Sequence, residues 1–247
     1  MARPRAAIVL AAGKGKRMKS EIPKVLHRIH GRSMISMVID TLGALKFDKI
    51  VVVVGFKGEM VEQELKDYPV TIVWQRKQLG TGHAVMMARD ALGDFDGTTL
   101  VALGDVPFLS SQTIEQLFVT HDRTEAKATC LSVVLDDPTG YGRIVRECNS
   151  DILQEIVEHR DASEEILEIN EINTGTFCFD NRLLFDTLTQ IDNDNSQGEY
   201  YLTDCVKILY SSGFRVSVTT AANPDEGMGV NSAEQLAELA RKFEAEK

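Results

Sequence analysis

Side chains that can bind phosphate are concentrated near the start of the chain. Residues 10–18 read LAAGKGKRM, so two glycines alternate with basic residues directly after an apolar run. Glycine lets backbone N–H groups approach phosphate oxygens closely, and Lys and Arg neutralise the charge of a triphosphate. Residues 1–24 contain seven basic residues and one acid. The pattern indicates a site for a small, highly charged anion, and an exposed surface turn is the alternative.

The spacing in this loop disfavours the two commonest phosphate-binding motifs. Met18 stands where a dinucleotide-binding fingerprint has its third small residue, and the Walker A pattern occurs nowhere in the chain. Lys24 follows Pro23, which favours an extended Ile22 and can direct the lysine back across the same site. Side-chain charge therefore distinguishes this loop from those two phosphate-binding motifs.

The elements that must position these residues alternate between β-rich and helical patterns. Strands are predicted at residues 6–12, 49–54, 70–74 and 98–103, and helices at residues 33–45, 58–66, 82–92 and 110–121. This alternation is typical of βαβ units around a mainly parallel sheet, whose carboxyl edge binds ligands. After residues 127–135 we predict a turn-rich segment, then strands near 152–157 and 172–179 and helices near 182–189 and 200–211. We interpret this part as an insertion on the same sheet.

Composition limits the class of protein. A chain of 247 residues with 43% hydrophobic content favours one large domain, and its net charge of −10 argues against nucleic acid or an anionic membrane as a partner. The apolar stretch after Arg3 and Arg5 resembles a secretory signal, but it is short and leads into basic residues, which favours a buried strand. No apolar run reaches the roughly 20 residues that cross a bilayer. The four cysteines are widely spaced, so we expect reduced thiols and a cytoplasmic location.

Short segments in the same order along nearly the whole chain resemble one enzyme family. Residues 10–18 and 23–26 are similar to the opening of sugar nucleotidyltransferases. The match continues at residues 75–84 (QRKQLGTGHA), 104–107 (GDVP), 137–144 (DPTGYGRI), 171–175 (EINTG), 197–201 (QGEYY) and 229–231 (GVN). Together they resemble the uridylyltransferase half of the bifunctional N-acetylglucosamine-1-phosphate uridylyltransferase/glucosamine-1-phosphate acetyltransferases.

The resemblance implies a fold and a domain organisation. The expected fold is α/β and Rossmann-like, with a doubly wound, mainly parallel sheet (the nucleotide-diphospho-sugar transferase fold) and a small inserted β-rich region for the sugar. A nucleotidyltransferase domain is expected over residues 1–231, and a C-terminal helix over residues 232–247 that starts a connecting arm. Ser232 and Gln235 have the spacing of a capping box at that helix. The hexapeptide-repeat β-helix that carries acetyl transfer is missing from this sequence, so acetyltransferase activity is not expected.

The resemblance also implies roles for individual residues. Arg17 and Lys24 are expected to be catalytic, by neutralising phosphate charge. The residues expected to bind the nucleotide are Leu10, Ala11, Ala12, Gly13, Gln75, Gly80 and Thr81. The residues expected to bind the sugar are Gly142, Glu158 and Asn173, and those expected to bind Mg²⁺ are Asp105 and Asn231.

Each role agrees with the chemistry of the side chain. Asp105 follows the fourth predicted strand, where a carboxylate reaches a metal bound to phosphates, and Mg²⁺ commonly takes only one or two protein ligands. The Gln75 amide can donate to a uracil carbonyl and accept from the ring N–H. Glu158 can accept from sugar hydroxyls, and Asn173 can both donate and accept. Outside the motifs, the same residues also fit exposed turns and strand ends.

The implied activity is Mg²⁺-dependent transfer of UMP from UTP to N-acetylglucosamine 1-phosphate, with release of pyrophosphate. The sugar phosphate is already ionised at neutral pH, so in-line attack on the α-phosphorus needs no general base. A nucleotidyltransferase for another sugar 1-phosphate is one alternative. A non-catalytic module that senses nucleotide or sugar phosphate is another, and the oligomeric state is left open.

Several features depart from the family or suggest other chemistry. Leu103 stands where many relatives have Tyr, which bears on a sugar or base contact, and Lys16 where many have Thr. Residues 94–96 (DFD) have the Asp-x-Asp form of metal-dependent glycosyltransferases, but they precede a predicted strand, and an exposed loop is favoured. His27 and His30 have helical spacing but lack a third metal ligand, so exposed imidazoles are favoured.

Overall fold

A mixed β-sheet forms the centre of the computed structural model, which describes residues 3–18, 20–148 and 150–245. The strands are β1 (Arg5–Ala11), β2 (Arg28–Ile29), β3 (Arg32–Ser33), β4 (Lys49–Val54), β5 (Thr71–Trp74), β6 (Thr98–Leu103), β7 (Ala128–Val134), β8 (Arg143–Arg146), β9 (Leu153–Val157), β10 (Glu171–Asp180) and β11 (Val216–Thr220). The helices are α1 (Met34–Gly43), α2 (Gly58–Glu64), α3 (Thr81–Met86), α4 (Arg89–Leu92), α5 (Ser111–Thr124), α6 (Glu164–Leu167), α7 (Asn181–Thr187), α8 (Asp204–Ser211) and α9 (Ala233–Ala245). Short 3₁₀ turns lie at Lys16–Met18, Lys24–Leu26 and Pro224–Gly227.

The main path of the sheet has the order β11-β7-β10-β6-β1-β4-β5. Strands β5, β4, β1 and β6 pair in parallel, and β11 pairs in parallel with β7. Strand β10 is antiparallel to both of its neighbours, β6 and β7. The prediction of a mainly parallel sheet is confirmed.

Alternate residues of β1 enter two different cores. Ala6, Ile8 and Leu10 pack on one face with residues of α3, α4, α7 and α8. The intervening residues of the strand pack on the other face with residues of α1, α2 and α5. A strand that is buried on both faces must be apolar at every position, which explains the uninterrupted run in the sequence. Helices cover both faces, as a doubly wound fold requires.

The inserted region belongs to the same sheet. Strands β8 and β9 form an antiparallel hairpin, and β8 pairs with β10 at Arg143 and Ile172. Ile152 forms an isolated antiparallel bridge with Ser217. The sequence predicted an insertion on the sheet, and that interpretation is confirmed, although β8 lies in the segment that was predicted to be turn-rich.

Two predicted helices differ from the structure for identifiable reasons. The helix predicted over 82–92 is divided into α3 and α4, because the N–H groups of Met87 and Ala88 bond to carbonyls three residues back. The helix predicted over 200–211 begins only at Asp204. The Tyr200 N–H bonds to the Leu79 carbonyl and the Tyr200 carbonyl accepts from Gly82, so this residue is tied to another segment.

The start of α9 follows the predicted capping pattern with one change. Ser232 Oγ accepts from the Gln235 N–H at 3.2 Å, as expected. The Gln235 side chain, however, accepts from the N–H of Asn231 at 2.8 Å. Helix α9 packs through Leu239 on Met18 and Val230. Within the described ranges, no helix is both long enough and apolar enough to span a membrane.

Candidate active site

A cleft of about 710 Å³ lies at the carboxyl edge of β1, β5 and β6 and extends to the β8–β9 hairpin and β10. Its lining includes all the predicted site residues: Leu10, Ala11, Ala12, Gly13, Arg17, Lys24, Gln75, Gly80, Thr81, Asp105, Gly142, Glu158, Asn173 and Asn231. Parallel strands bring their carboxyl ends to one edge, which explains why loops far apart in sequence meet here. The structure brings these residues together, and their roles in binding and catalysis stay predictions.

The basic loop is shaped so that Lys24 packs beneath it. Gly15 has φ +58°, and a Cβ atom added there would lie 2.6 Å from Lys24 Cβ. A side chain at this position is therefore excluded both by backbone conformation and by space. The Met18 N–H bonds to the Gly15 carbonyl at 2.9 Å, which closes the turn. Arg17 lines the cleft and is exposed.

Opposite charges meet at the centre of the cleft. The Lys24 ammonium forms an ion pair with Asp105 and donates to Asn231 Oδ1 at 3.0 Å. The Lys24 and Asp105 side chains are only 17% and 11% exposed, so water screens this pair weakly. The Val230 N–H donates to the Asp105 carbonyl at 2.9 Å and holds residues 229–231 beside the loop after β6. The three side chains thus form one connected polar cluster.

This cluster has the donor set that a divalent cation needs. One carboxylate oxygen and one amide oxygen, from Asp105 and Asn231, converge on a single cation, the Lys24 ammonium. In the part of the chain that the structure describes, no group of three or more His, Cys, Asp or Glu side chains is placed to hold a metal. A metal bound here would therefore complete its shell with phosphate and water oxygens, which is the usual behaviour of Mg²⁺. The Asp105 and Asn231 pair fits that requirement.

The Gln75 amide is already engaged by protein groups. Gln75 follows β5, is 3% exposed, and donates from Nε2 to the Gly80 carbonyl at 3.0 Å. The same nitrogen contacts His83 Nδ1 at 2.9 Å. The amide nitrogen was expected to donate to a base carbonyl, but both of its hydrogens are used here. Its oxygen remains as the acceptor, and this corrects half of the predicted contact.

The backbone around residue 80 requires glycine. Gly80 has φ +112°, and an added Cβ would lie 2.5 Å from the Tyr200 carbonyl oxygen. Thr81 begins α3, and its hydroxyl accepts from the Leu202 N–H at 3.1 Å. These contacts bind residues 79–82 to residues 200–202 and so close one wall of the cleft.

The predicted sugar residues lie on the hairpin and β10. Glu158 follows β9, and Thr203 donates to its Oε1 at 3.3 Å. Burial raises the pKa of Glu158 above its usual value. Asn173 Oδ1 accepts from the Gly175 N–H at 2.8 Å, so the Asn173 amide NH₂ is the group left to donate. An added Cβ at Gly142 would lie 3.4 Å from Glu158 Oε1, so glycine keeps this carboxylate accessible.

Leu103 also lines the cleft, beside the sugar residues. An added Cβ at Gly175 would lie 2.6 Å from Leu103 Cδ1, so the two residues are in close contact. An aliphatic side chain at this position offers no hydrogen bond to a ligand. The departure from the Tyr of many relatives therefore lies near residues that are predicted to bind the sugar.

Two residues of the 137–144 segment have surroundings that the sequence did not predict. Arg143 is buried and donates from Nη1 to the carbonyls of Pro138 and Tyr141, at 2.7 and 2.5 Å, which holds the loop in place. The Tyr141 hydroxyl is buried, and Tyr141 lines the cleft. Burial raises the pKa of Tyr141, and the charge of Asp105 acts in the same direction. Their inclusion in a matched motif was the signal that could have identified them.

The competing metal motifs do not meet at a site. Asp94 and Asp96 are exposed and precede β6, at the end of the strand away from the cleft, and Asp96 pairs with Arg182 at 3.4 Å. His30 is exposed, and its Nε2 lies 3.1 Å from the Ala240 carbonyl. A glycosyltransferase centre built on residues 94–96 is not supported.

The chain is similar to known proteins over most of its length. It is 48% identical over 237 residues to the bifunctional protein GlmU of Geobacillus thermodenitrificans, which covers 96% of this chain and 51% of the relative. The identity is 46% over 234 residues with GlmU of Halalkalibacterium halodurans (95% of this chain, 51% of the relative). It is 47% over 232 residues with GlmU of Clostridium botulinum (94% and 50%). The chain thus spans about half the length of the curated relatives it matches.

A solved structure supports the fold. The crystal structure of UDP-glucose pyrophosphorylase complexed with UDP-glucose superposes with a TM-score of 0.76 at 17% identity, covering 99% of this chain and 100% of that chain. This likeness confirms the predicted nucleotide-diphospho-sugar transferase fold. Residues 7–199 match the MobA-like NTP transferase domain family. Because this match extends over more than half of the sequence, the chain belongs to the family of MobA-like NTP transferase domains.

Proposed function

We propose that this chain transfers UMP from UTP to N-acetylglucosamine 1-phosphate, giving UDP-N-acetylglucosamine and pyrophosphate. The observation that carries the proposal is the cluster of Lys24, Asp105 and Asn231 at the centre of a cleft that also holds Arg17. Such a cluster suits two phosphorylated substrates, because it combines cationic side chains with oxygen ligands for a metal. The similarity to the GlmU proteins over their matched half supports the same activity.

The reaction needs alignment and charge neutralisation more than proton transfer. A phosphate oxygen of the ionised sugar 1-phosphate attacks the α-phosphorus of UTP, and a new P–O bond forms as the bond to the β-phosphate oxygen breaks. The electron pair of that bond leaves with pyrophosphate. Lys24 and Arg17 neutralise the charge of the reacting phosphates. No general base is required, and none of the residues proposed for this site is assigned that role.

Magnesium is the proposed cofactor, held by Asp105 and Asn231. When bound, it supplies positive charge and Lewis-acid polarisation at phosphate oxygens. The Lys24 ammonium already contacts both of these residues, so the same side chain is placed to bind phosphate beside the metal ligands. Removal of divalent ions with a chelator is therefore expected to abolish turnover.

The two ends of the cleft are proposed to select the two substrates. Gln75, Gly80 and Thr81 bind the uracil ring, and Glu158 and Asn173 bind the sugar hydroxyls and amide. The four cysteines form no disulfide with one another, which agrees with a reducing compartment, and we place the enzyme in the cytoplasm. Nucleic acid and membranes are not among the proposed partners.

A substrate panel tests the proposal. Several sugar 1-phosphates are combined with UTP, CTP, dTTP and ATP in the presence of Mg²⁺, and released pyrophosphate is measured. The expected result is fastest release with UTP and N-acetylglucosamine 1-phosphate. Faster release with another sugar 1-phosphate would identify a related nucleotidyltransferase. In that case Leu103→Tyr is the first variant to test for a change in sugar preference. Tight UTP binding without release for any sugar would identify a non-catalytic binding module instead.

A further inference from the structure

A histidine stands directly behind the predicted base-binding amide. His83 lies in α3, and its Nδ1 is 2.9 Å from Gln75 Nε2, while the Gly80 carbonyl oxygen is 3.0 Å from the same nitrogen. Neither the sequence nor the family resemblance assigned a role to His83. The two contacts together determine how the Gln75 side chain is oriented.

The orientation of the Gln75 amide follows from the chemistry of its partners. A carbonyl oxygen only accepts hydrogen bonds, so the NH₂ group, and not the amide oxygen, must face Gly80. The second hydrogen of that NH₂ group then faces His83 Nδ1, which must act as an acceptor. The His83 proton therefore sits on Nε2, and the ring is neutral. Burial lowers the pKa of His83, which acts in the same direction.

This orientation leaves the Gln75 oxygen for a ligand. No residue in the described ranges donates to Gln75 Oε1, and Gln75 lines the cleft. Uracil has an N–H donor at ring position 3, whereas cytosine has an unprotonated acceptor at that position. An amide oxygen that faces ring position 3 is therefore complementary to uracil and opposed to cytosine.

The His83 ring is held on its other side by an aromatic residue. Its centroid lies 6.5 Å from that of Tyr200, at an interplanar angle of 32°. A second cavity of about 600 Å³ is lined in part by His83, Tyr200 and Met86, and Gln75 is not among its lining residues. The imidazole is thus confined without being part of the apolar core, and a side chain of similar size can replace it.

We propose that His83 is a positioning residue for base selection, which fixes the Gln75 amide so that its oxygen faces the nucleotide base. The inference rests on the proposed function to the extent that the cleft binds a nucleoside triphosphate. His83 does not touch the base in this scheme. It acts by accepting one hydrogen of the Gln75 NH₂ group and by disfavouring the flipped amide.

A pair of substitutions separates this role from a structural one. His83→Leu has a carbon at the δ position and no acceptor, whereas His83→Asn has an oxygen there and keeps the acceptor. For the wild type and both variants, kcat/KM is measured with UTP and with CTP at a fixed sugar 1-phosphate, and the two nucleotides are titrated calorimetrically. His83→Leu is expected to lower the ratio of UTP to CTP by about 10- to 100-fold, mainly through KM for UTP. His83→Asn is expected to restore most of that ratio.

The outcomes distinguish the inference from the proposed function. An unchanged ratio in His83→Leu, or an equal loss in His83→Asn, would overturn the role of His83 while turnover remained. If the wild-type protein binds UTP more tightly than CTP but releases no pyrophosphate, the proposed function is refuted. The role of His83 is then still tested by titrating the variants with the two nucleotides. If His83→Leu fails to fold, His83→Ala lacks the acceptor without adding bulk and replaces it. A wild type that does not discriminate between UTP and CTP would also overturn the inference.

Discussion

Replacing Asp105 with asparagine removes one negative charge from the cleft and keeps the shape of the side chain. The carboxylate pairs with Lys24, and both side chains are largely excluded from water. Asn231 Oδ1 is the other described acceptor of the Lys24 ammonium, at 3.0 Å. The substitution therefore weakens the proposed metal site and changes the charge around Lys24 in one step.

The cost to catalysis is expected to exceed the cost to folding. Loss of one preorganised group that stabilises developing charge lowers kcat by about 10²- to 10³-fold, or about 3–4 kcal/mol. Folding loses less, because the amide oxygen that replaces the carboxylate still accepts from Lys24, and Asn231 Oδ1 remains as a second acceptor. We expect a loss of about 1 kcal/mol in the free energy of unfolding. In a chain of this length that lowers Tm by about 2–4 °C.

Pyrophosphate release with UTP, N-acetylglucosamine 1-phosphate and Mg²⁺ measures the effect on turnover. Asp151→Asn is the matched control, because it removes a carboxylate from an ion pair with Arg215 whose side chains are 44% and 40% exposed. Exposed pairs contribute little, so this variant should keep its rate within about twofold. Turnover of Asp105→Asn within fivefold of the wild type would refute the assigned role. An equal loss in Asp151→Asn would show that the effect is not specific to the cleft.

Three further predictions follow from the described contacts. Gly15→Ala should lower Tm by several degrees, because Gly15 has a positive φ and an added Cβ would lie 2.6 Å from Lys24 Cβ. Gly13→Ala should not lower Tm, because a Cβ added at Gly13 would have no other atom within 4 Å. Arg17→Ala should lower kcat about 100-fold, and Tm should not change because the Arg17 side chain is exposed. Arg182→Ala, at another exposed arginine, is its control. Burial raises the pKa of Asp204 to about 6 from 3.8, so its ionisation costs stability as pH rises through 6. That cost is about 3 kcal/mol at most, and it exceeds the roughly 0.3–1 kcal/mol that a negative charge in the first turn of α8 contributes. Asp204→Asn should therefore raise Tm at pH 8, and this gain should disappear towards pH 4. An equal gain at both pH values would contradict the prediction.

The strands and the position of the cleft could be predicted from local sequence. The run at β1 is apolar at every position because its alternate residues enter different cores, and such runs are visible without a structure. Gln75 directly follows β5 and Asp105 lies two residues after the end of β6, so the carboxyl-edge rule places them near the basic loop. These inferences need only periodicity and the geometry of parallel sheets.

Contacts between distant segments could not be predicted in the same way. Lys24 bonds to Asn231 across 207 positions of sequence, and Glu158 accepts from Thr203 across 45 positions. Neither pair has a local pattern, and only the family resemblance directed attention to Asn231 and Glu158. The late start of α8 has the same cause, because Tyr200 bonds to the segment around residues 79–82.

The hydrogen-bond state of a polar side chain is a further limit of sequence analysis. Gln75 lines the cleft, and its role in binding the base stays a prediction, but its two hydrogens are used by Gly80 and His83. The type of a residue shows which bonds it can form, and the folded neighbours decide which remain available. This is why His83 gains a role only from three-dimensional contacts.

Charge distribution is compatible with the two anionic substrates that we propose for this acidic chain. The net charge is −10, which by itself would repel a triphosphate, yet Lys14, Arg17 and Lys24 all line the cleft. At physiological ionic strength the screening length is about 8 Å, so acids elsewhere on the surface act weakly at the cleft, whereas these cations line it. Asp105 offsets one of them but also offers the oxygen that a divalent ion requires. A local excess of positive charge, and not the sum over the chain, therefore decides which ligands the cleft attracts.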